Sequence, residues 1–126
     1  MSDRILIIEE EPRLGDAAFA LLDHRGYLVE RTLAHGDASL QAYEPQADLI
    51  VLALSRGEAD AIRWARTASS AHGCPVLVLA ERPTTDLVRE VAGLPFVLEI
   101  LRSPVPAPWF LDAVEKAIGA RAFFAL

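Results

Sequence analysis

Short apolar runs alternate along this chain with stretches of helical period. Ile5-Leu6-Ile7-Ile8 is closed by three glutamates and Pro12, as suits a buried strand that stops abruptly. Behind it Leu14, Ala17, Ala18, Leu21 and Leu22 fall on one helical face, with Pro12 suited to the first turn and Gly26 to the end. Tyr27 to Leu33 reads as a second strand, and Asp37 to Tyr43 as a short helix ended by Pro45. Asp48 to Leu54 is apolar on both faces, as a central parallel strand covered from both sides requires. Ser55-Arg56-Gly57-Glu58 offers a capping box for a helix reaching about Ser70. In that helix Trp64 falls in step with Ala61, Ala65 and Ala68, which favours packing over ligand stacking.

Pro75 to Ala80 predicts the fourth strand, and Thr84 or Thr85 can cap a helix carrying Leu87, Val88, Val91 and Ala92. Phe96 to Leu101 is the fifth strand. A last helix follows Pro104, Pro106 and Pro108, with Leu111, Val114, Ala117, Ile118 and Ala122 as its core stripe and Trp109, Ala113, Ala120, Phe123 and Phe124 partly on other faces. Five strands alternating with five helices through short connections imply a single α/β domain over residues 1–126, a parallel sheet with helices on both sides. In such sheets the crevice lies at the carboxyl ends of the strands, here Glu9-Glu10, Ala53, Ala80 and Ser103.

Composition narrows the class. At 126 residues the chain is long enough to bury a core without disulfides, and its single Cys74 has no partner to form one. No apolar run approaches the roughly 20 residues that span a bilayer, which leads us to expect a soluble cytoplasmic protein without a membrane partner. The formal charge of -6, with no block of like charge, argues against direct nucleic-acid contact.

Several chemistries lack their residues. The loop Glu9-Glu10-Glu11-Pro12-Arg13 has no phosphate-cradling glycine pattern, and three acids would repel phosphate. His24, His35 and His72 lie in separate segments without ligand spacing and read as surface or capping residues. Cys74 before Pro75 reads as a small packed residue. Gly-x-Ser-x-Gly is absent. The acid pair Glu9-Glu10 fits two readings, a weak site for a hard cation or a solvated turn that favours the following helix through its dipole. Use of the pair as enzymatic acid and base is disfavoured, because adjacent strand residues point to opposite faces.

Taken together, Ile5-Leu6-Ile7-Ile8-Glu9-Glu10-Glu11-Pro12, Gly26-Tyr27-x-Val29, Asp48-Leu49-Ile50-Val51-Leu52, Pro75-Val76-Leu77-Val78-Leu79 and Ser103-Pro104 resemble, in order and spacing, the receiver domains of two-component response regulators. The resemblance implies a flavodoxin-like, doubly wound five-stranded sheet in the order 2-1-3-4-5 with five helices. It also places the family's phosphoryl-accepting aspartate on Ala53, the phosphoryl-binding threonine or serine on Ala80, the lysine on Ser103 and the coupling aromatic on Ile100. The two metal-binding acids fall on Glu9 and Glu10, each a methylene longer than aspartate. Alanine has no nucleophilic oxygen, and two carboxylates alone hold magnesium poorly, so the expectation is a pseudo-receiver with no catalysis, no cofactor and no phosphorylation.

Glu9 and Glu10 are expected to repel, one with a raised pKa unless an arginine approaches, and Arg56 and Arg82 are near enough in sequence to do so. A protein partner is the implied ligand: a receiver homodimer, another signalling protein, or an effector domain continuing past Leu126. The face that the family commonly uses corresponds here to Thr84–Ala92, Phe96–Leu101 and Ala107–Leu126, with Ile100, Trp109, Phe123 and Phe124 as candidate contacts. Two alternatives stay open, a small-ligand sensor using the strand-end crevice and the regulatory input of a transcription regulator.

Overall fold

The computed structural model describes residues 3–34, 46–55 and 61–120. Five strands, β1 (Arg4–Glu9), β2 (Leu28–Leu33), β3 (Leu49–Leu54), β4 (Val76–Ala80) and β5 (Val97–Arg102), form one parallel sheet in the order β2-β1-β3-β4-β5. Among the described residues there are four helices, α1 (Asp16–His24), α2 (Ala61–His72), α3 (Thr85–Ala92) and α4 (Ala107–Ala120). The expected helix at Asp37 to Tyr43, the Ser55 to Glu58 capping box and His35 lie wholly or partly outside the described residues.

The central strands are continuous apolar runs because both faces are covered: every residue of β3 and of β4 is buried. Strand alternation sorts the side chains into two cores. Ile5, Ile7, Val51, Leu77 and Leu79 pack with Ala18 and Leu22 of α1 and Phe110, Val114 and Ala117 of α4. Leu6, Ile8, Leu52 and Val78 pack on the other side with Trp64 and Ala68 of α2 and Leu87 and Val91 of α3. Trp64 and Cys74 are thus core residues, as the sequence pattern indicates.

Local signals explain most boundaries. Thr84 Oγ1 accepts from the Leu87 N–H at 3.0 Å and starts α3. Gly26 (φ 89°) and Gly73 (φ 59°) take the left-handed backbone that releases the chain after α1 and α2.

Three expectations need correction. Pro12 does not open α1, which begins only at Asp16, because the backbone turns through positive φ at Arg13 (81°) and the Gly15 N–H is held by Glu9. The stripe of α4 is rotated: Phe110 and Ala113 are buried with Val114 and Ala117, while Leu111 and Ile118 are half-buried. Placing one large ring inside the sheet face removes more apolar area than the aliphatic register would, about 2–3 kcal/mol for a phenylalanine. Finally, His72 is no surface residue. It is buried, and its Nδ1 accepts from the Ala47 N–H at 3.0 Å, fixing the chain that enters β3 against the end of α2.

Candidate functional site

The carboxyl ends of β1, β3, β4 and β5 do bring Glu9, Glu10, Ala53, Ala80 and Ser103 to one edge of the sheet. Glu9 is directly paired with Ala53 across β1 and β3, and Leu54 with Ala80 across β3 and β4. The Ser103 N–H donates to the Ala80 carbonyl at 2.9 Å, and the Ser103-Pro104 peptide is cis. Ala53 and Ala80 are fully enclosed and present only methyl groups.

The two glutamates part company, as strand alternation dictates. Glu9 is only 4% exposed and faces the α1 side. Its Oε1 accepts from the Gly15 N–H at 2.8 Å and from Arg31 Nη2 at 2.6 Å, while its Oε2 accepts from Arg31 Nε at 3.1 Å. Arg31 Nη2 also donates to Asp16 Oδ1 at 2.6 Å, and the guanidinium lies 5.3 Å from the centre of the Phe19 ring. Hydrogen bonds to Glu9 first and Asp16 second hold the Arg31 pKa above its ordinary value. Glu10 turns the other way, and its Oε1 accepts from the Ser55 N–H at 2.9 Å.

The arginine that pairs with Glu9 is therefore Arg31, which sequence reasoning passed over. Arg56 lies outside the described residues, and exposed Arg82 reaches the crevice through its backbone, donating its N–H to the Ser55 carbonyl at 2.7 Å. Arg31 sits on β2 opposite Ile7, two residues before Leu33, the partner of Glu9. An arginine on the inward parity of an edge strand, between Val29 and Leu33, was the available signal.

This donor set does not fit a divalent cation of the receiver kind. Both oxygens of Glu9 are committed to a guanidinium and a backbone N–H, position 53 offers no side-chain oxygen, and no three His, Cys, Asp or Glu side chains converge among the described residues. These partners draw the buried Glu9 carboxylate toward the start of α1 and toward β2.

Of the proposed contact residues, Ile100 leans on the core and Phe123 and Phe124 lie outside the described residues. Trp109 is 69% exposed at the start of α4, and Val88 of α3 (42%) and Leu98 of β5 (40%) are exposed as well. No described helix is long and apolar enough to cross a membrane.

No protein-family model matches the chain, and no curated protein matches it. Solved structures do. The signal receiver domain of a modulated diguanylate cyclase from Desulfovibrio desulfuricans G20 superposes with a TM-score of 0.82 at 17% identity, covering 98% of each chain. A CheY-like response regulator receiver domain protein from Methanospirillum hungatei JF-1 gives 0.79 at 15% identity, covering 97% of this chain and 98% of that one. The non-phosphorylated HemR receiver domain from Leptospira biflexa gives 0.71 at 23%, covering 93% and 94%. The chain therefore has the receiver-domain fold, a CheY-like, flavodoxin-like sheet in the order 2-1-3-4-5.

Proposed function

We propose that this chain is a pseudo-receiver, a regulatory module that works by docking a protein partner without accepting a phosphoryl group. The observation that carries this reading is the side chain at position 53. Where the receiver resemblance calls for an aspartate, a buried methyl group stands in register beside Glu9. Acyl-phosphate formation needs a carboxylate oxygen in line with the donor, so its loss removes the reaction.

The surrounding residues support the same reading. Ala80 brings no hydroxyl and Ser103 no cation, and Glu9 is withdrawn into an ion cluster with Arg31 and Asp16. Charge that builds up on a transferring phosphoryl group would meet no stabilising cation at these positions. What remains is a scaffold with apolar side chains exposed on α3, β5 and α4, at Val88, Leu98 and Trp109, and the occupant we propose for them is a second copy of this chain. Incubation with acetyl phosphate and magnesium, followed by intact-mass measurement, tests the phosphorylation half. An unchanged mass supports the reading, and one added phosphoryl group mapped to the crevice overturns it.

A further inference from the structure

A cavity of about 450 Å³ opens beside the crevice, between α1 and the turn from β5 into α4. It is of the size that small-molecule sites have, roughly 300–1,000 Å³. Ala18, Leu79 and Phe110, all buried, form its floor, and Leu21 and Val105 flank it.

Its polar groups are few and separately placed. Arg13 comes from the turn after β1, Glu81 from the end of β4 and Ser103 from the end of β5. Asp16 also lines the cavity, but its carboxylate already accepts from Arg31 at 2.6 Å. Among the described residues neither Arg13 nor Glu81 has an ion-pair or side-chain hydrogen-bond partner.

Arg13 is, moreover, the one non-glycine residue with positive φ (81°) among those described. Such backbone is strained and persists where the surroundings over-determine it, often at ligand clamps. Here the Arg13 carbonyl is pinned by the Asp16 N–H at 3.1 Å.

Arg13 follows β1 and Glu81 follows β4, strands that β3 holds two spacings, roughly 10 Å, apart, and both side chains are exposed at the mouth of the cavity. A ligand that meets both charges and the apolar floor must carry an anionic end, a cationic end and an apolar body between them. We propose that this cavity is a binding site for a small hydrophobic zwitterion of dipeptide size. Its carboxylate pairs with the Arg13 guanidinium, its ammonium with the Glu81 carboxylate, and its side chains lie against Phe110 and Leu21, with the Ser103 hydroxyl free to serve either end. The proposal does not rest on the pseudo-receiver reading, and its success or failure leaves the phosphorylation result unchanged.

Calorimetric titration of the full chain with leucyl-phenylalanine tests it, alongside the N-acetylated dipeptide, the C-terminal amide and glycyl-glycine. The expected result is saturable binding of the free dipeptide, about tenfold weaker binding of each capped form, and none of glycyl-glycine. Arg13→Gly, which suits the left-handed backbone, should abolish the penalty for amidation, and Glu81→Gln the penalty for acetylation. Absence of saturable binding to the parent chain overturns the proposal. So does equal binding of capped and free forms, or indifference to both substitutions.

Discussion

The Arg31 guanidinium reaches from β2 to grip both carboxylate oxygens of Glu9, at 2.6 and 3.1 Å, so the first acid of the pair serves the architecture of the sheet edge. The same nitrogen holds Asp16 of α1, and one side chain thus ties together two strands and a helix.

Removal of Arg31 should be costly. Arg31→Ala would leave a buried carboxylate with a single N–H partner. Breaking a fully buried pair costs about 3–5 kcal/mol, and because the Arg31 side chain is 30% exposed we expect about 2–3 kcal/mol. Urea denaturation of Arg31→Ala, Glu9→Gln and the double variant should show a coupling above about 1 kcal/mol, and additivity within about 0.5 kcal/mol would contradict the cluster.

Gly15 is predicted to be intolerant for a steric reason. A Cβ there would stand 2.7 Å from Ile7 Cγ2 and 3.1 Å from Glu9 Cδ, although the backbone itself, at φ -99°, would accept any residue. Gly15→Ala should therefore lower the unfolding free energy by about 1–3 kcal/mol, the usual cost of overpacking. An unchanged denaturation midpoint would show that β1 and the start of α1 are not in this contact.

The alternation of strands and helices, the Thr84 cap and the helix-ending Gly26 were legible in the sequence, because each rests on local spacing or on backbone chemistry, whereas the strand order came from the receiver resemblance. Arg31 was not, since its contact depends on which residue of β2 lies beside Glu9, and hydrophobic pattern alone does not set the register of an edge strand. The rotation of α4 escaped for a related reason. Leu111 and Phe110 are both apolar, and only the space above Leu77 and Val51 decides which one points inward. Buried His72 resembles any helix-end histidine until Ala47 is known to lie beside it.

Tyr27 supplies a pH dependence. Burial first, then the negative charges of Glu115 and Asp3, raise its pKa above the ordinary value of 10.0. A raised pKa in the folded state means the protonated phenol is favoured by folding, so this contribution is complete below pH 10 and is lost as pH rises through the folded-state value. Stability measured from pH 9 upward should fall less steeply in Tyr27→Phe than in the parent, and identical slopes would contradict the assignment.

Trp109 should matter for association and little for folding. An exposed residue of this kind changes stability by no more than about 0.5 kcal/mol when replaced. Size-exclusion chromatography with light scattering is expected to show a concentration-dependent dimer of the parent that Trp109→Glu or Leu98→Glu reduces to monomer. A parent that stays monomeric throughout would remove the second copy as the occupant of this surface.

Intact-mass spectrometry after incubation with acetyl phosphate and magnesium probes the methyl group at position 53 most directly. The expected spectrum is that of the untreated chain. A single added phosphoryl group, labile to hydroxylamine and mapped to the Glu9, Glu10 and Ala53 edge, would contradict the pseudo-receiver reading.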